Sequence, residues 1–138
     1  MKAFFSIIFF IPLILSAQPF KVKEIKIRNI SFNDIKYYDI HTVVVSKKKD
    51  GVFIIDSIQL NGITANGLKL SVLGRNIGSK DFVKGDSLLL QCNVPIINSD
   101  KKNSVYLFYH YTKRPLAKRF VKVEKFKKLN DILIQYNQ

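Results

Sequence analysis

Val105-Tyr106-Leu107-Phe108-Tyr109-His110-Tyr111 decides the fold class. Successive side chains of an extended chain point to opposite faces. Val105, Leu107, Tyr109 and Tyr111 therefore share one face, and Tyr106, Phe108 and His110 share the other. Aromatic and β-branched residues favour strands, and a strand apolar on both faces belongs where both faces are covered. The stretch is predicted to lie near the centre of a sheet.

The same period of two extends through the rest of the chain. Leu88, Leu90 and Cys92 line one face of Ser87 to Asn93, and Leu68, Leu70 and Val72 alternate with Lys69 and Ser71. His41 to Ser46 carries Val43-Val44-Val45. Phe20/Val22 and Ile25/Ile27 alternate with charged residues but are out of phase, which predicts a bulge at Lys23-Glu24. In the series Val52, Ile54, Ile58 and Leu60, Asp56 falls on the core-facing side. Either a second bulge reverses the phase there, or Asp56 is a partly buried carboxylate that needs a partner.

Turn signals separate these runs. Asp50-Gly51 follows Lys47-Lys48-Lys49 and is read as a type I′ hairpin pairing the strands on either side, with the lysines at its tip. Asn61-Gly62, Asn66-Gly67 and Lys84-Gly85-Asp86 are further turns, and Arg75 to Asp81 reads as a loop. Seven or eight strands with frequent turns predict one antiparallel β-sandwich. Across Phe20 to Phe126 the arrangement resembles immunoglobulin-like and fibronectin-like domains, a resemblance of fold alone. The chain has no Trp and a single Cys, so the Cys…Trp…Cys spacing of true immunoglobulin domains is missing. A small β-barrel is the structural alternative, and neither fold implies an activity.

Residues 1–17 have the three parts of a secretory signal: Lys2, the apolar run Ala3 to Leu15, and the small pair Ser16-Ala17. The run is too short to span a membrane, which takes about 20 apolar residues. Cleavage after Ala17 leaves residues 18–138, a single domain of 121 residues (138 minus 17), and takes the net charge from +13 to +12. One cysteine makes no internal disulfide, so the exported domain is expected to rest on its apolar core, with Cys92 inside it. The Ala17-Gln18 junction resembles signals of Gram-negative bacteria, which places the protein in the periplasm or at the cell surface.

The residues offer little for catalysis. His41, His110 and Cys92 have no metal-ligand spacing, so no metal or cofactor is expected. The hydrolase elbow G-x-S-x-G is absent. Gly74 to Lys80 has one residue too few between its glycines for a phosphate loop, and its Ser precedes its Lys. Most of the ten acids adjoin turns. An envelope hydrolase would need His110, Cys92 or Asp56 gathered in a cleft.

The expectation is therefore a non-catalytic binding or accessory module of the cell envelope. It would recognise a protein partner through loops or a sheet edge, with Val43, Val44 and Val45 or Ile132, Leu133 and Ile134 as candidate edges. The alternative is a site for anionic lipid headgroups or acidic polysaccharide. It would use the basic segment Lys113, Arg114, Lys118, Arg119, Lys122, Lys125, Lys127 and Lys128, opposed only by Glu124. Phe120, Val121, Val123 and Phe126 would hold that segment on the core. Edge lysines that block unwanted strand pairing account for the same charges structurally. Nucleic acid is set aside as a partner because an exported chain seldom meets it.

Overall fold

An amphipathic sheet is stable only when its apolar face is shielded from water. In the computed structural model, which describes residues 18–76, 81–96 and 104–134, two sheets shield one another. The first contains β1 (Phe20–Phe32), β2 (Ile35–Ser46), β5 (Asn66–Val72), β6 (Ser87–Pro95), β9 (Lys127–Lys128) and β10 (Ile132–Ile134). Its order is β10-β1-β2-β6-β5, with β9 also paired to β1. The second contains β3 (Phe53–Leu60), β4 (Ile63–Thr64), β7 (Val105–Tyr111) and β8 (Arg119–Val123), in the order β4-β3-β7-β8. Neither sheet closes into a barrel. Every pairing is antiparallel except those of β9 and β10, which run parallel to β1. Among the described residues no helix is long and apolar enough to cross a membrane.

The core lies between the sheets. Ile25, Ile27, Ile40 and Leu90 from the first sheet meet Ile58 and Leu107 from the second, each no more than 1% exposed. Burying a side chain of this size is worth about 1.5–3 kcal/mol. Phe20 bridges the two layers, with its ring 5.7 Å from Phe53 and 5.2 Å from Tyr109. β7 lies between β3 and β8, in the interior position that its two apolar faces require. Cys92 is buried on β6 beside Leu90 and Val94. Thr42 on β2, opposite Leu90, is also fully buried, and its hydroxyl oxygen has no hydrogen-bond partner.

Two bulges set the phase of the strands. The β1–β2 register shifts between Val22 and Glu24, which lets both Phe20 and Ile25 face inward. The β3–β7 register shifts between Ile55 and Ser57, and Phe53 before the shift and Ile58 after it are both buried. Both predicted bulges are present. The second leaves Ile54 48% exposed, so the inward series on β3 is not the one read from Val52 and Ile54.

Four connections, β1–β2, β3–β4, β5–β6 and β7–β8, join neighbouring strands of one sheet, and those that follow β2, β4, β6 and β8 change sheets. Asn61-Gly62 is a two-residue hairpin joining β3 to β4, with φ of 53° and 82°, the left-handed geometry of a type I′ turn. Asn66-Gly67 does not turn the chain. It opens β5 with a bulge at which Gly67 has φ 65°. Asp50-Gly51 makes no hairpin either. β2 pairs with β1 and β6, β3 pairs with β7 and β4, and the segment between β2 and β3 crosses from one sheet to the other. Backbone bonds from Lys47 N–H to the Pro19 carbonyl and from Asp50 N–H to the Phe82 carbonyl, each 2.8 Å, brace that crossing.

Candidate functional site

The basic segment from Lys113 to Lys128 passes over three different surfaces. It begins in the β7–β8 turn, runs along β8, and crosses to the first sheet to form β9. Strand alternation divides its middle. Opposite β7, Phe120 meets Phe108 and Lys122 meets Tyr106 on the outer face, while Val121 meets Leu107 and Val123 meets Val105 on the inner face. Val121, Val123 and Phe126 pack on the core as expected, but Phe120 stays 58% exposed.

That outer face of the second sheet carries an aromatic platform and an ionic cluster. The Tyr106, Phe108 and Phe120 rings lie 5.7 to 6.3 Å apart. Lys122 Nζ sits 5.8 Å from the Tyr106 ring centre and 3.1 Å from a Glu124 oxygen. The hydrogen bond to Glu124 and the nearby Tyr106 raise its pKa. Farther along the face, Asp56 Oδ2 is 2.8 Å from His110 Nδ1 and 3.1 Å from Lys118 Nζ. Because the bulge sits at Asp56, its carboxylate leaves the core-facing series and finds these partners. Both readings of that residue hold at once.

On the first sheet, Glu24 collects Lys127 at 3.1 Å and Lys26 at 3.7 Å. The Lys127 hydrogen bond, with a smaller contribution from Lys26, holds its carboxyl below the usual value against a weaker opposing effect of burial. Lys125 borders a groove of about 500 Å³ with Lys23, Glu24 and Phe126.

The third surface is one end of the sandwich. Lys49, Asp50, Gly51 and Val52 from the β2–β3 crossing form one wall of a cavity of about 660 Å³, and the opposite wall is residues 111–114 with Arg119. Thr112 fastens the walls together. Its N–H donates to the Val52 carbonyl at 3.0 Å, and its hydroxyl lies 2.8 Å from the Gly51 carbonyl and 3.2 Å from that of Val52. The Arg119 guanidinium stands 5.5 Å from the Tyr111 ring centre, and Tyr111 in turn contacts the core ring of Tyr109 at 6.1 Å. Lys49, Lys113, Arg114 and Arg119 have no ion-pair partner among the described residues.

Of the two candidate edges, Ile132–Ile134 does form an outermost strand, β10, with Leu133 68% exposed. Val43–Val45 does not, because β2 is hydrogen-bonded to β1 on one side and β6 on the other. β8 is outermost in the second sheet among the described residues, the edge position that the edge-lysine reading of the basic segment assigned to it, though it was not named as a docking edge. His110 and Asp56 come together across a sequence separation of 54, but Cys92 faces the core from the opposite sheet. Burial, reinforced by the charge of Asp39, pushes its thiol up to about 12. Among the described residues no three His, Cys, Asp or Glu side chains gather as a metal ion would require. The segment read as an export signal, residues 1–17, and most of the Gly74–Lys80 loop lie outside the described residues. Comparison with protein-family models, with curated proteins and with solved structures returns no match.

Proposed function

We propose that this chain is a non-catalytic, exported binding module of the bacterial cell envelope. It takes an extended, acid-containing segment of a protein partner along the outer edge of β8. The observation that carries this reading is the setting of β8. It is hydrogen-bonded to β7 alone among the described strands, and it presents Phe120 beside Tyr106 and Phe108. An edge strand with a free row of backbone groups is a template for strand addition, and flanking side chains set its specificity. Lys118, Arg119 and Lys122 on this strand and its approach, in a chain of net charge +13, favour acidic side chains on the incoming segment. β10 is the weaker candidate because three residues offer a shorter ladder.

The strand order supports an immunoglobulin-like reading of the sandwich. β1-β2-β6-β5 facing β4-β3-β7-β8 corresponds to the A-B-E-D and C′-C-F-G arrangement of such domains. Residues 1–17 would direct export to the periplasm or the cell surface.

A photo-crosslinking residue placed at Lys122 or at Leu133 tests the reading in native Gram-negative envelope. A protein adduct from position 122, formed by irradiation after a wash at about 1 M salt, where the Debye length is about 3 Å, is expected, with none from position 133. An adduct from position 133 alone would move the interface to β10. Lipid or polysaccharide recovered at low salt only, without a protein adduct, would overturn the protein-partner reading.

A further inference from the structure

We infer that the cavity at the end of the sandwich is a binding site for a phosphomonoester dianion carried on an apolar body. The site shares Arg119 with the start of β8 but lies at the end of the sandwich, and it does not depend on strand addition along that edge.

The first argument is the distribution of charge. Along the basic segment, the cations that face the outer surface of the second sheet each have a carboxylate: Lys118 has Asp56 and Lys122 has Glu124. Lys113, Arg114 and Arg119 have none among the described residues, and the β2–β3 crossing adds a fourth such cation, Lys49, from far away in sequence. One acid, Asp50, lines the same cavity, so the lining carries a net charge of +3 (four cations less one carboxylate). All four cations are exposed, so water screens their mutual repulsion, but they border one concavity and an anion seated there would be attracted by all of them. A monocarboxylate would leave most of that charge uncompensated, whereas a phosphomonoester brings roughly −1.5 to −2 at neutral pH and three acceptor oxygens.

The second argument is geometry. Arginine presents a planar fork of donors that fits phosphate oxygens in pairs, and two of the four cations are arginines. Arg119 is already oriented, with its guanidinium over the Tyr111 ring. Thr112 ties the two walls to each other, so the cations are mounted on a braced frame and not on independent loops. The volume of about 660 Å³ lies in the range of small-molecule pockets, roughly 300–1,000 Å³. The half-buried Val52 and Tyr111 give the cavity an apolar floor against which an aryl or acyl group would pack.

A soluble phosphorylated molecule and the headgroup of phosphatidic acid share this chemistry, and two arms of one experiment separate them. In the first, phenyl phosphate is titrated into the 18–138 domain and followed by amide chemical shifts. Saturable shifts confined to Val52, Tyr111, Thr112 and Arg119 are expected, with phenol inert. The double variant R114Q/R119Q should bind at least about tenfold more weakly, as loss of charge-assisted hydrogen bonds predicts. The control K125Q/K128Q should bind as the parent does. In the second arm, the domain is sedimented with phosphatidylcholine vesicles with and without phosphatidic acid. Sedimentation that depends on phosphatidic acid and is lost in R114Q/R119Q assigns the lipid source. Phenyl phosphate binding without sedimentation assigns a soluble ligand. Absent shifts, shifts spread over Lys125 to Lys128 without saturation, or equal binding by the R114Q/R119Q protein would each overturn the site. The unshifted remainder of the spectrum reports that the variants are folded.

Discussion

Replacing Thr42 by valine should make the protein more stable. Thr42 lies on β2, opposite Ile25 of β1 and Leu90 of β6, with none of its surface exposed and no partner for its hydroxyl. A buried donor or acceptor left unsatisfied costs about 1–3 kcal/mol. Valine has nearly the same shape and the same β-branched preference for a strand, so it removes that cost without opening a cavity. The expected gain is about 1–2 kcal/mol, or a rise in Tm of several degrees for a domain of this size. Thr42→Ser makes the opposite change, since it keeps the hydroxyl and deletes the methyl group. It should cost about 1 kcal/mol in transfer and packing. Urea unfolding of the three proteins under one set of conditions gives both differences. A valine variant no more stable than the parent would refute the reasoning, because the hydroxyl would then have to be satisfied in the folded state, for instance by a buried water.

Three further outcomes follow from individual contacts. The Cys92 thiol, raised to about 12 by burial, should resist an aromatic disulfide reagent at pH 8 until the protein unfolds. Its ordinary value is 9.0, so between pH 9 and 12 the unfolded chain loses that proton while the folded chain keeps it, and stability falls as pH rises. Urea unfolding at pH 8 and pH 10 should show the parent losing about 1.4 kcal/mol more than Cys92→Val. Asn61 accepts a 2.9 Å bond from the Ser104 N–H and adopts φ 53°, so Asn61→Ala should cost about 1–2 kcal/mol by thermal or urea unfolding. Asp56→Ala strips the carboxylate from both His110 and Lys118 and should cost about 1–2 kcal/mol in the same assay, whereas Asp56→Asn, which keeps an acceptor, should cost less.

The features that the sequence made legible are those set within a few residues. Inward alternation on β5, β6 and β7 follows from the period of a pleated strand, and the bulges at Lys23 and Asp56 follow from breaks in it. Asn61-Gly62 is a hairpin because its backbone requirement is met locally. What failed depends on which strand lies next to which. Asp50-Gly51 carries the same kind of signal, yet a turn signal does not say whether the next strand joins the same sheet or the facing one. Val43-Val44-Val45 has the composition of a strand, but β6 arrives beside it from more than 40 residues away, and that pairing turns a candidate edge into an interior strand.

The basic segment shows the same division in a form that bears on binding. Read along the chain, eight cations in sixteen residues form one patch. In the fold, alternation on β8 and the change of sheet after Glu124 send them in three directions, and acids remote in sequence claim some of them: Asp56 takes Lys118 and Glu24 takes Lys127. Lys49, on a turn that the charge run does not include, joins three cations that have no such acid. The density of charge in sequence therefore measures how attractive the protein is to anions in general. The cations left without a carboxylate in a braced concavity mark where a particular anion would be held.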